Sequence, residues 1–267
     1  MKKEITFSFG RNWQDFLQNL TETKIKNATE SLLDFLRVRD LKGKSFLDIG
    51  CGSSIFSYAA FGLGADKITS FDIDPFSVDC CRYLHTRAGN PDNWKVLHGS
   101  ILDDQFVPGL GGYDIVYSWG VLHHTGRMWD AIKRSAKLVN KNGYYYIAIY
   151  NKMRNELGSD FWLRIKKFYN RYPLLGKYIL EPIYMSVFFI RDIIRLKNPL
   201  RKVKSYKQVR GMEWRTDIRD WLGGYPYEFA TVEEVVGFMR SQFPDIKLVK
   251  VESCTGLGNN SFLFKKD

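Results

Sequence analysis

The chain has 267 residues, of which 45% are hydrophobic and 15% aromatic, enough apolar material to bury a core and to exclude wholesale disorder. Its net charge of +11 is unevenly placed: residues 164 to 219 hold fifteen Lys/Arg against four Asp/Glu, and the remaining chain balances at twenty-five of each. Four cysteines, two of them adjacent, exclude a disulfide framework, and the opening Met1-Lys2-Lys3-Glu4 leads into no signal-peptide core, so reduced thiols and a soluble, cytoplasmic protein are expected.

In chain order, apolar spacing predicts a helix over 24–39. Strands are then expected at 45–49, 67–71, 94–97, 113–118 and 143–150, with helices starting near Ile55, Pro75 and Gly126. Strand and helix in alternation imply a parallel sheet covered on both faces. The alternation breaks after Tyr150. Residues 151 to about 229 are helical, aromatic and basic, with an apolar stretch at 183–190 that falls short of the ~20 residues needed to span a membrane. Alternation resumes with a helix over 231–242 and strands at 247–251 and 261–265, joined by Gly256-Leu257-Gly258-Asn259-Asn260 as an antiparallel pair. Three regions follow: an N-terminal helical arm (1–44), an α/β domain (45–150 with 230–267), and a basic helical insertion (151–229). The insertion leaves the carboxyl edge of the fifth strand, where open α/β sheets bind ligands.

The chemistry begins at Phe46-Leu47-Asp48-Ile49-Gly50-Cys51-Gly52-Ser53-Ser54, an apolar strand running into a Gly-x-Gly turn and a helix. Glycines at 50 and 52 let a ligand approach the backbone. Asp72, ending the second strand, is an acid suited to both hydroxyls of a ribose. A nicotinamide enzyme would carry a third glycine where this chain has Ile55. Asp48, polar at a strand end, suits a ligand with a cationic amino group.

These segments, with Tyr113-Asp114-Ile115-Val116-Tyr117-Ser118-Trp119-Gly120-Val121-Leu122-His123-His124, resemble the class I S-adenosylmethionine-dependent methyltransferases, nearest to the small-molecule enzymes of the ubiquinone-biosynthesis type. The resemblance implies a Rossmann-like, doubly wound seven-stranded sheet with its last strand antiparallel. It implies S-adenosylmethionine as donor, S-adenosylhomocysteine as product, and no obligate metal. Donor contacts are expected at Asp48, Gly50, Cys51, Gly52, Asp72 and Ile73, at Ser100 and Ile101 beside adenine, and at Ser118 and Trp119. The family often has glycine where this chain has Ser54.

Around that loop, Phe9-Gly10-Arg11-Asn12-Trp13 could close over the donor, Trp13 at the sulfonium or Arg11 at its carboxylate, or could simply pack as an arm. His123 and His124 follow the fourth strand and could take a hydroxyl proton, or could pack beneath the adenine. Tyr150, Asn151, Tyr225 and Glu228 are candidate acceptor contacts, the last two within a segment of aromatics, acids and turn residues (214–228, including Asp220 and Trp221) that reads as a pocket wall or as a structural turn. The expected reaction is methylation, preferably of oxygen, on a small or lipid-linked acceptor. The basic insertion points to an anionic partner, whether a phosphorylated or sugar-nucleotide acceptor or an acidic membrane surface. No recognised nucleic-acid motif is present, so nucleic acid is a minority reading beside that of a binding module without transfer.

Overall fold

The molecule, a computed structural model, is described over residues 10–196, 198–201, 203, 206 and 214–267. An arm of two helices, α1 (Gly10–Gln18) and α2 (Glu22–Leu36), leads into β1 (Ser45–Ile49), α3 (Ile55–Gly62), β2 (Lys67–Asp72), α4 (Pro75–Arg87) and β3 (Trp94–His98). Next come β4 (Tyr113–Trp119), α5 (Met128–Ala136) and β5 (Val139–Tyr150). The insertion contributes α6 (Ser159–Arg171), α7 (Pro173–Ile194) and α8 (Trp214–Gly223). The chain ends with α9 (Val232–Gln242), β6 (Ile246–Glu252) and β7 (Asn259–Lys266).

Local chemistry sets these boundaries. Asp74 caps α4 by accepting from Phe76 N at 3.0 Å, and Pro75 follows where its missing N–H costs nothing. Thr231 and Glu234 form a reciprocal capping box on α9. The expected helix over 24–39 starts earlier and stops at Leu36, because Arg37 turns into the left-handed region at φ 55°. α5 begins at Met128 rather than Gly126, and β5 at Val139 rather than Gly143, extended by pairing of Val139 with Tyr113.

The sheet runs β3-β2-β1-β4-β5-β7-β6, with β7 antiparallel to both of its neighbours. This is the expected doubly wound, seven-stranded arrangement. Period-two alternation builds two cores: Phe46, Ile115, Tyr117 and Leu263 face α2, α3 and α4, while Leu47, Val116, Ile147 and Phe262 face α5 and α9. Order reverses between β1 and β4, so the crevice lies over their carboxyl ends.

The insertion has a small core of its own, in which Tyr169, Trp214, Ile218 and Leu222 are buried against Trp162, Tyr184, Phe188 and Phe189. An isolated parallel bridge between Asn151 and Ala230 closes its base. One sequence expectation is corrected here. The apolar stretch at 183–190 belongs to a continuous helix of 22 residues, α7, long and apolar enough to cross a membrane by length and composition alone.

Candidate functional site

A single cavity of about 1840 Å³ opens over the ends of β1, β2 and β4 and continues beneath the insertion. Its floor is the glycine loop. Gly50 and Gly52 hold φ values of 70° and 53°, a region that favours glycine. A Cβ at Gly50 would meet the Val121 side chain at 2.3 Å, and one at Gly52 would meet the Trp13 indole at 2.9 Å. The loop is therefore bare because the walls leave no room for side chains.

Behind the loop, hydrogen bonds pass from Trp94 Nε1 to Ser70 Oγ at 2.9 Å, from Ser70 to Ser57 at 2.7 Å, and from Ser57 to the Asp48 carboxylate at 2.5 Å. The chain fixes Asp48 where it faces the cavity. Burial pushes the Asp48 carboxyl up to about 7 against the lowering bond from Ser57. Asp72 accepts from Gly52 N at 3.0 Å and from Asp74 N at 2.9 Å, and burial raises its pKa as well. Each carboxylate oxygen keeps a lone pair for a further donor.

The residues fit S-adenosylmethionine. The glycine loop, Asp72 and Asp48 all line the cavity, where Asp72 would suit the hydroxyls of a ribose and Asp48 an ammonium. Tyr117 Oη and Asn259 Oδ1, both buried at the cavity wall, have no hydrogen-bond partner among the described residues, as expected of groups that complete a ligand's shell. Cys51 lines the wall as an inert thiol: its contact with Cys81 and its burial hold it well above its usual pKa.

Ser54 stands at φ 58°, fully buried, its hydroxyl without a partner among the described residues. A non-glycine residue there costs about 1 kcal/mol of strain. Replacing Ser54 with glycine should therefore stabilise the fold by about 1 kcal/mol in thermal denaturation. A lower melting temperature would show that the serine hydroxyl is used.

Of the expected donor contacts, Asp48, Gly50, Cys51, Gly52, Asp72, Ile73, Ser100, Trp119 and Trp13 line the cavity. Ile101 does not; at 3% exposure it belongs to the core beneath. Ser118 is also buried, its hydroxyl donating to Ile49 O at 3.1 Å to tie β4 to β1. Trp13 is held over the loop because Gly10 N donates to Asp74 at 2.9 Å and Asn12 donates to Asp220 across the cavity. Phe9 and the Arg11 side chain lie outside the described residues.

The two histidines part company. His123 is fully buried, packed on the Tyr150 ring at 4.0 Å with its Nδ1 taking the Tyr150 N–H at 3.3 Å, and it does not line the cavity. It is a packing residue. His124 does line it, with Nδ1 2.6 Å from Pro226 O, so that nitrogen carries the proton. Burial draws His124 down to about 4, which keeps it neutral at physiological pH.

Among the acceptor residues, Tyr150 and Tyr225 line the cavity. Asn151 does not, because its amide bonds Cys254 O and Gly256 O at 3.0 and 2.9 Å and so pins the β6–β7 turn. Glu228 also faces away, accepting from Met128 N at 3.0 Å at the start of α5.

The pocket-wall reading of 214–228 holds for Trp214, Asp217, Ile218, Asp220 and Trp221 of α8, which line the cavity, whereas Tyr184 and Phe188 from α7 were missed. The α8 positions fall at i, i+3, i+4, i+6 and i+7, one broad helix face that was readable in the sequence. Burial, reinforced by Asp217, pushes Asp220 up to about 8. Behind it, Lys166 is 1% exposed, donates to Trp221 O, and sits 4.2 Å from the Trp221 ring centroid. Burial pulls Lys166 down to about 7.

The anionic-acceptor expectation finds no support inside this cavity. Asp48, Asp72, Asp74, Asp217 and Asp220 line it, and Arg127 is the one Lys or Arg among its described lining residues.

Comparison with known proteins agrees with the geometry. Residues 25–137 match the family model described as ribosomal protein L11 methyltransferase. A ubiquinone biosynthesis O-methyltransferase of Pelagibacter ubique is 26% identical over 140 residues, covering 51% of this chain and 56% of that protein. A tRNA U34 carboxymethyltransferase of Pseudomonas fluorescens is 33% identical over 87 residues, covering 32% of this chain and 26% of that protein. The chain thus spans about half or less of these curated relatives. In fold, it is similar to magnesium protoporphyrin IX methyltransferase from Synechocystis with bound SAH, with TM-score 0.53 and 12% identity over 92% of this chain and 83% of that one. The family match ends before the insertion begins.

Proposed function

We propose, from the premise that the chain is a class I methyltransferase in fold and kinship, that it transfers a methyl group from S-adenosylmethionine to the hydroxyl oxygen of a small acceptor seated beneath the insertion. The observation that carries this reading is the continuity of the cavity from the Gly50–Gly52 floor to an aromatic wall bearing Asp220 and His124.

When bound, S-adenosylmethionine supplies a methyl group on a positively charged sulfur. This chain's residues do the rest. Gly50, Gly52 and Asp72 hold the donor, and Trp13 covers it. Tyr184, Phe188 and Trp221 enclose a flat or amphiphilic acceptor and exclude water, which fixes the attack line. Asp220 accepts the hydroxyl proton as the acceptor oxygen gains the methyl. His124, with Nδ1 bonded to Pro226 O, stands in the same wall as a neutral imidazole.

The lining supports a small acceptor over RNA, since Arg127 is the one Lys or Arg among its described residues and a phosphate backbone would find little to neutralise it there. Calorimetric titration should give one site for S-adenosylmethionine, and radiolabelled donor should label simple phenols but not tRNA or ribosomal protein. Absence of donor binding at about millimolar concentration would overturn the donor assignment. Label entering RNA or protein would overturn the acceptor class.

A further inference from the structure

Helix α7 has two faces. The inner one is fastened to the insertion: Glu181 is fully buried and takes Tyr169 Oη at 2.8 Å and Arg219 Nε at 3.1 Å, and Phe189 packs on Trp214 at 5.4 Å between ring centroids. Tyr184 and Phe188 reach the cavity from this side. The outer face is a row of large aliphatic side chains in the open. Ile179, Ile183, Val187, Ile190 and Ile194 recur at spacings of four, four, three and four, and are 49% to 75% exposed. An apolar stripe of this length, about 23 Å at 1.5 Å per residue, is not a normal solvated surface.

Its surroundings identify what covers it. Lys177, Arg191, Arg195 and Arg201 are exposed around the stripe, within the segment that holds the molecule's whole positive excess. A second copy of the chain is a poor partner, because a two-fold contact through this face would set one +11 segment against another. Nucleic acid would match the charge but leave the isoleucines in water. Spanning a bilayer would require tearing Glu181 away from its arginine and tyrosine partners. A surface that is apolar at its centre and negative at its edge satisfies every part. We propose that α7 lies in the interface of an anionic lipid leaflet, its outer face among the acyl chains and its basic rim among the headgroups. Resting on the methyl-transfer reading, this orientation makes the acceptor a membrane-borne amphiphile, with Tyr184 and Phe188 of the inner face lining the cavity that receives it.

The test is flotation of the full chain with vesicles of phosphatidylcholine alone and of phosphatidylcholine doped with phosphatidylglycerol. Binding should require the anionic lipid and weaken as salt is raised. Ile183→Glu and Ile190→Glu, both at exposed positions, should each weaken vesicle binding by about tenfold or more, leaving donor affinity in calorimetry unchanged. Unaltered flotation of both variants would overturn the proposal, as would equal binding to neutral vesicles. Resistance to alkaline extraction would show a spanning helix and overturn it, as would a dimer in sedimentation that the same variants dissolve. Failure of donor binding in the parent chain bears only on methyl transfer, because docking is read without it.

Discussion

Asp220→Asn should lower kcat by about 10²–10⁴-fold, the usual contribution of a positioned proton acceptor, with donor affinity little changed. The carboxylate sits in the aromatic wall, with one oxygen taking the Asn12 amide and burial pushing its pKa up to about 8. A base must be deprotonated to work, so activity should rise with pH through about 8 and level off above it. That limb should vanish in the asparagine variant. Lys166, drawn down by burial, lies behind the carboxylate. His124, held near 4, contributes no limb between pH 6 and 9. A limb near 6.5 that His124→Gln abolished would transfer the role of base to the imidazole.

Asp72→Ala should weaken donor binding by about 1–3 kcal/mol, or roughly 5- to 150-fold, measured by calorimetry. Two effects add. The carboxylate is proposed to hold the ribose, and it also accepts from Gly52 N and Asp74 N, so its loss frees the glycine loop as well. Asp74→Ala is the control. Asp74 caps α4 and receives Gly10 N, so its loss should loosen the arm with a smaller effect on the donor. If the two variants weakened binding equally, Asp72 would be holding the loop rather than the ribose.

What the sequence disclosed follows the range of the physics. The donor half was legible because each signal is local. A strand end, two glycines at positive φ and an acid at the next strand end all lie close along the chain, and their types are dictated by backbone geometry. The acceptor half depends on which face of α7 and α8 turns inward. The segment 214–228 was marked as wall by its aromatics and acids, but which of its residues face the cavity, and that Tyr184 and Phe188 join them, became clear only once the helix faces were known. Ile101, Ser118, Asn151 and Glu228 have the right positions along the chain and the wrong directions in space. The charge of the insertion was correctly counted, yet its sign says nothing about the cavity. The described basic side chains largely point outward, and the carboxylates point in.

Helix α1 holds Asp74 with its first residue and Asp220 with its third, so one short element grips both sides of the cleft. A clasp of that kind imposes an order on events. The donor must be seated before Trp13 settles over the Gly50–Gly52 floor, and it cannot leave while Asn12 is engaged with the acceptor side. Steady-state kinetics should therefore be sequential and ordered, with the donor first on and S-adenosylhomocysteine last off.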